Sequence, residues 1–261
     1  LELIHNFSLI HDDIEDASSE RHQQPTVWKL WGQSQAINAG DAMFSLAYLA
    51  LLRLRENGVA DEKIIHSTHM LTEACMELCE GQYLDIDFES HLNITIEDYL
   101  NMIAKKTAAL IAASTFLGAY LGTEDEELVN SLYRFGEELG MAYQIRDDIL
   151  GIWGTKESMG QPVEGDISQR KKTLPVVYGL QNSNHEDREK LKKLYSQEHI
   201  QGEDITKVVR ILEQLDVRRV CQNLAEKCYH RALARLDATG LSSSRQAPLR
   251  EVASFLLERN Y

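Results

Sequence analysis

"SLIHDDIED", residues 8–16, decides how the rest of the chain is read. Leu9 and Ile10 are apolar, and four acids then fall within five positions: Asp12, Asp13, Glu15 and Asp16. Asp12 and Asp16 are spaced i, i+4, so on a helix they share a face, about 6 Å apart along the axis. Like charges held this close raise one another's pKa unless a cation lies between them. Alone, an acidic run at a helix end reads as a solvated patch. A second run changes that reading. "AYQIRDDILGIWG", residues 142–154, sets Asp147 and Asp148 after another apolar helical stretch. Two acid pairs, each closing an amphipathic helix, can converge across a central cavity, which is how helix bundles build metal sites.

Working outward, the hydrophobic period is helical nearly throughout. Residues 1–17 form one helix, broken by "SSERHQQPT" with its serines and Pro25. A long helix is expected from Gln33 to Asn57, with Gly58 as its C-cap glycine, and another from Asp61 to about Leu84. "HLNITIEDYL" opens the next: Thr95 caps it, and Asp98 lies three positions on, as in a capping box. That helix reaches Gly122, and a further one runs from Glu124 to Gly151. Gly154, Gly160, Pro162 and Gly165 punctuate a loop over 154–169. A helix starts around Pro175, and two or three more fill 187–261. No strand run, repeat or low-complexity tract stands out. The expectation is an all-α fold, a single-domain helix bundle over 1–261 around a central cavity.

Composition narrows the function. The 261 residues are 43% hydrophobic, enough for one large core. The formal net charge of −14 repels a phosphate backbone and argues against a nucleic-acid partner. Cys75, Cys79, Cys221 and Cys228 lack zinc-ligand spacing and read as reduced thiols of a cytoplasmic protein. No signal peptide is visible. The most apolar stretch, 108–122, contains Ser114 and Thr115 and is short for a membrane span, so no transmembrane segment is expected. The chain opens on Leu1, inside a helical pattern, and is expected to be part of a longer protein.

Carboxylate oxygens with no His or Cys beside them favour Mg²⁺, which keeps waters and usually binds phosphate as well. The expected guest is a magnesium–diphosphate. Cations suited to it recur along the chain. Arg21 follows the first acid run, "AKKTAAL" carries Lys105, Lys106 and Thr107, and "SQRKKTLP" carries Arg170, Lys171 and Lys172. Each alone is an ordinary surface charge. With two acid clusters they suggest a cage with metals on one side and ammonium or guanidinium groups on the other.

Taken together, these blocks resemble the trans-isoprenyl diphosphate synthases, the polyprenyl synthetase family. "DDIED" matches that family's first Asp-rich motif, and "PTVW" with "AINAGDAMF", "EGQYLDIDFE", "KKTAALI", "YQIRDDILG" and "RKKTLPVV" match further blocks in order, over residues 1–180. The resemblance implies the isoprenoid synthase fold and a prenyltransferase. Such an enzyme condenses isopentenyl diphosphate with an allylic diphosphate to give a C15–C20 or longer trans-prenyl diphosphate, similar to a geranylgeranyl diphosphate synthase. It implies that Asp12, Asp16 and Asp147 bind Mg²⁺, three ions per site together with diphosphate. Arg21, Lys106 and Lys171 would be the catalytic cations gripping the allylic diphosphate, with Thr107 and Gln144 beside them. His5 would contact isopentenyl diphosphate, and Phe7, more than a helical turn below Asp12, would floor the product tunnel. A homodimer is implied as well.

The chain departs from the family pattern in several places. The pair Arg21-His22 stands where two arginines are usual, Gly151 where the second motif has its third acid, and Gly160-Gln161 where relatives have glycine-lysine. The segment with a Gly-Lys-x-x-Arg-Pro motif is missing, as if N-terminal helices were absent. Two alternatives therefore stay open. One is a class I terpene synthase on the same fold, which would cyclise its substrate and need no grip on a second diphosphate. The other is a non-catalytic partner subunit of a prenyl synthase.

Overall fold

The first acid run closes the first helix. In the computed structural model, which describes residues 1–154, 165–197 and 199–258, helix α1 spans Glu2–Glu15. The chain then turns through a minimal hairpin, β1 (Glu20–Arg21) against β2 (Gln24–Pro25), with Glu20 opposite Pro25. His22 and Gln23 form its two-residue turn at φ 50° and 62°. Two successive positive φ values are the signature of a type I′ turn, whose twist suits an antiparallel pair.

The remaining described residues are helical apart from connections. A short α2 (Val27–Trp31) leads into α3 (Gln33–Leu52). A 3₁₀ turn at Arg53–Asn57 ends at Gly58, whose φ of 82° is the left-handed cap expected there. Helix α4 covers Asp61–Glu89, a turn and more beyond the expected Leu84. Thr95 and Asp98 form the reciprocal capping box of α5 (Ile96–Ile103): the Asp98 N–H donates to Thr95 Oγ1, and the Thr95 N–H to Asp98 Oδ2, each at 3.0 Å. A π-turn over Ala104–Ala108 joins α5 to α6 (Ala109–Gly122).

Helix α7 (Glu126–Trp153) is the bundle's central rod. Asp125 caps it by accepting from the Leu128 N–H at 3.1 Å, and Glu126 and Glu127 favour the positive end of its dipole. Four residues, Gly165–Ser168, form α8. Helices α9 (Leu174–Asn182), α10 (His185–Tyr195), α11 (Glu203–Gln214), α12 (Val217–Ala238) and α13 (Ser243–Glu258) follow.

Packing follows from where the apolar stripes lie. Helix α7 is flanked by α6 and α12, while α1 lies along α3 and α4 packs on the π-turn and α6. Buried residues of α7 join all three apolar clusters: Ile145, Ile149 and Ile152 in the largest, Val129 in the second with Ile4, Phe7 and Phe116, and Phe135 and Leu139 in the third with Ala232 and Leu236. Burying one such side chain is worth about 1.5–3 kcal/mol, so α7 is committed along its whole length. The continuous stretch Ile96–Gly122 is long and apolar enough, by length and composition alone, to cross a membrane. The shorter window 108–122 misses this, because the turn carrying Lys105 and Lys106 does not break the helix.

Candidate active site

The ends of α1, α4, α5 and α7, the π-turn and the segment 166–173 meet at a polar cavity of about 100 Å³. Asp85, Tyr99, Lys106, Gln144, Asp147, Asp148, Asp166, Lys171, Lys172 and Thr173 line it, with Met102 and Ile103 as its apolar wall. Asp12 and Asp16 reach it through the lysines. Lys106 Nζ lies 3.4 Å from Asp12 Oδ1 and 2.5 Å from Asp85 Oδ2, and Lys171 Nζ lies 2.9 Å from Asp16 Oδ2. The hairpin presents Arg21, whose Nη2 donates to Asp12 Oδ2 at 2.9 Å and whose Nε donates to Asp13 Oδ1 at 2.8 Å. Arg21, Asp12 and Lys106 thus form one bonded set and Asp16 with Lys171 another, and the two lysines bring both to the same cavity.

The electrostatics follow from this pairing. Burial pushes the Asp12 carboxyl up, but Lys106, Lys171 and Arg21 together hold it below the ordinary carboxylate range. Burial likewise disfavours a charged Lys106, yet Asp85 and Asp12 outweigh it and its pKa rises. Lys171 is held well above the usual lysine range against the same burial cost, chiefly by Asp16. All three groups are charged at neutral pH in a partly desolvated space, where charge–charge energies exceed those in water.

Within each Asp pair the two acids part company. Asp148 is buried at 3% exposure and accepts from the Tyr99 hydroxyl, the Leu174 N–H at 2.9 Å and Gln144 Nε2 at 3.1 Å. It thereby ties α5 and α7 to the first N–H of α9. Burial pushes its pKa up to about 7, while these three donors pull the other way. Asp13 is likewise buried, with its pKa raised by burial against the pull of Arg21. Thr107 Oγ1 donates to Gln144 Oε1 at 2.7 Å, so the two polar residues expected beside the diphosphate are bonded to each other and, through Gln144, to Asp148.

Asp166, Asp85 and Tyr99 were not singled out from the sequence. Asp85 sits inside the quoted block "EGQYLDIDFE", and Asp166 in a stretch read only as loop. Asp166 bears on the missing third acid. A Cβ built on Gly151 would lie 2.7 Å from Asp166 Cγ and nearer still to one carboxylate oxygen. The Asp166 carboxylate therefore fills the space beside position 151. Burial raises its pKa to about 6, against the pull of Lys171 and with Asp147 among the groups that raise it further.

Not every expected residue joins the cavity. His5 is exposed on α1, and His22 is exposed at the hairpin turn; neither is among the lining residues. Phe7 lies under the site at 9% exposure, edge-on to His11 (centroids 5.4 Å) and to Phe44 of α3 (5.0 Å). Gly160 and Gln161 lie outside the described residues.

With this geometry in hand, known proteins are informative. The chain matches the Polyprenyl synthetase family over residues 1–212. It is 38% identical to a short chain isoprenyl diphosphate synthase of Methanothermobacter thermautotrophicus, over 100% of this chain and 78% of the relative. It is also 38% identical to a geranylgeranyl diphosphate synthase of Mycobacterium tuberculosis, over 90% of this chain and 66% of that one. The chain thus spans 66–78% of the length of these relatives. In fold it is similar to the crystal structure of geranylgeranyl pyrophosphate synthetase from Pyrococcus horikoshii, with a TM-score of 0.91 and 35% identity, over 99% of this chain and 77% of that chain. A helical bundle, a first acid run paired with two lysines that line one cavity with the second, and these likenesses lead to one conclusion: the chain belongs to the polyprenyl synthetase family of prenyltransferases.

Proposed function

We propose that this protein condenses isopentenyl diphosphate with an allylic diphosphate in a Mg²⁺-dependent reaction, releasing a C15–C20 trans-prenyl diphosphate, with geranylgeranyl diphosphate as the main product. The observation that carries the reading is that Asp147, Asp148, Lys106 and Lys171 line one cavity, while Asp12 and Asp16 of the first acid run pair with those two lysines and Arg21 pairs with Asp12. A solvated acidic patch would need none of these cations.

The donor set fits Mg²⁺. Asp12, Asp16 and Asp147 offer carboxylate oxygens, and the cavity lining contains no His or Cys. Among the described residues no three acidic, His or Cys side chains converge closely enough to hold a metal by themselves. That suits an ion which keeps waters and draws other ligands from a diphosphate. When bound, Mg²⁺ neutralises the departing diphosphate. Arg21, Lys106 and Lys171 bind the diphosphate oxygens and stabilise the charge that grows on them as the allylic C–O bond breaks. The Thr107 hydroxyl and the Gln144 amide orient the same group. The apolar cluster around Ile4, Phe7, Phe44 and Phe116 receives the prenyl chain and keeps water from the allylic cation while the isopentenyl double bond adds. By the family resemblance, His5 contacts the isopentenyl diphosphate.

A cytoplasmic homodimer completes the proposal. Its support is the family resemblance, four cysteines outside any disulfide, and large apolar side chains exposed on α3 and α4, among them Leu46, Leu49, Ile65, Met76 and Tyr83. The test is incubation with labelled isopentenyl diphosphate, Mg²⁺ and each allylic primer, with chromatography of the products. Label is expected in a prenyl diphosphate longer than the primer. A hydrocarbon or alcohol made from the primer alone would instead identify a terpene synthase. No turnover with any primer would point to a partner subunit.

A further inference from the structure

The helix that delivers Lys106 is not regular. Between α5 and α6 it widens into a π-turn at Ala104–Ala108. Such a turn closes i→i+5 rather than i→i+4 bonds, and single-turn examples cluster at functional sites. It places one extra residue in the helix and so rotates all that follows by about 100°. Three consecutive side chains leave this turn toward different neighbours. Lys105 Nζ donates to Glu80 of α4 at 2.6 Å, Lys106 to Asp85 of α4 and Asp12 of α1, and Thr107 to Gln144 of α7.

A widened turn needs lateral room, and two glycines supply it from opposite sides. On α4, a Cβ built on Gly81 would stand 2.6 Å from Lys106 Cα and 2.8 Å from its Cβ, with the Lys106 nitrogen closer still. On α7, a Cβ on Gly140 would stand 2.5 Å from Ala108 Cα and 2.8 Å from Ala108 Cβ. Most of these atoms are backbone, so no rotamer change relieves the overlap. Gly118 of α6 differs: a Cβ there meets nothing within 4 Å.

We infer that Gly81 and Gly140 are positioning residues for diphosphate binding: by seating the π-turn between α4 and α7 they set where Lys106 and Thr107 stand in the cavity. The inference rests on the proposed diphosphate site. A methyl group at 81 must push the Lys106 backbone away from α4 by several tenths of an ångström or more. That carries the ammonium off the line joining Asp12 and Asp85, and binding groups tolerate little misplacement.

The test is calorimetric titration of magnesium pyrophosphate into wild type, Lys106→Ala, Gly81→Ala, the Gly81→Ala/Lys106→Ala double variant and Gly118→Ala, with circular dichroism on each. Gly81→Ala is expected to stay helical and bind about tenfold more weakly. In the Lys106→Ala background the same change should cost less than about twofold, because its effect passes through Lys106. Gly118→Ala should bind as wild type does. Wild-type affinity in Gly81→Ala, or an undiminished loss in the double variant, overturns the inference. If Gly81→Ala does not fold, Gly140→Ala is read in its place, and failure of both to fold makes the glycines structural and overturns it as well. Wild type that does not bind magnesium pyrophosphate, or Lys106→Ala that binds it normally, overturns the diphosphate site itself and this inference with it.

Discussion

Asp147 and Asp148 are neighbours in the chain, and both line the cavity. Asp148 is spent on Tyr99, Leu174 and Gln144, while Asp12 is held among cations. The two should respond in opposite ways to substitution. Asp148→Asn turns an amide toward existing donors and is expected to cost about 2–3 kcal/mol in urea unfolding. Asp12→Ala should leave stability nearly unchanged, since Arg21 keeps Asp13 and Lys106 keeps Asp85, yet lower turnover by about three orders of magnitude or more. A normal rate in Asp12→Ala would remove it from the reaction. That acids occur in pairs was legible in the sequence. Which member of each pair is structural was not, because it depends on partners up to 49 positions away.

Lys172, next to Lys171, gives a pH prediction. It is buried at 4% exposure, donates to the Glu89 carbonyl oxygen at 3.1 Å and lies 5.1 Å from the centre of the Tyr195 ring. Burial, with Arg170 beside it and Glu89 opposing, lowers its pKa to about 8. An unfolded lysine titrates near 10.4, so between about pH 8 and 10.4 the unfolded chain binds more protons and this group makes stability rise with pH. Below about pH 8 the penalty is complete. Lys172→Met should therefore be more stable than wild type at pH 7, on the order of 1–3 kcal/mol, and the gain should fade by about pH 10.5. Urea unfolding at both pH values checks this, and an equal gain at both would contradict it.

At the scale of elements, what is local was readable and what is lateral was not. The α5 capping box is a four-residue pattern, and it forms as read; Thr95→Ala should cost about 1 kcal/mol in thermal or urea unfolding. The hairpin at 20–25 leaves no mark in the sequence, because His22-Gln23 lacks the Asn-Gly signature of its turn. The π-turn has no residue signature of its own; the room it occupies is left by glycines of two other helices. Phe7 belongs to this scale, since its ring closes the space between α1 and α3 against Phe44. On the proposed reading, a lengthening prenyl chain held at Asp12 and Asp16 would have to displace that ring into packed core, at about 1–3 kcal/mol. Phe7→Ala should lengthen the products by one or more isoprene units on chromatography. An unchanged distribution would assign the floor to another residue.

For the molecule as a whole, the helical period and the two acid runs were enough to foresee an all-α bundle, because amphipathic stripes of this length can bury themselves only against one another. Convergence of the runs could be anticipated in kind but not in detail. Asp166 and Asp85 complete the charge balance from segments whose spacing carries no motif. The exposed apolar residues of α3 and α4 bear on assembly, and light scattering on the purified protein should give twice the chain mass if the homodimer forms. On the proposed reading, α1, the π-turn, α7 and Lys171 make one diphosphate site. A crystal structure with Mg²⁺ and an unreactive thiodiphosphate analogue of the allylic substrate tests it most directly. The diphosphate should lie within hydrogen-bond reach of Arg21, Lys106 and Lys171, with the prenyl tail running toward Phe7. A diphosphate bound away from these three cations, or a tail directed away from Phe7, would contradict the account.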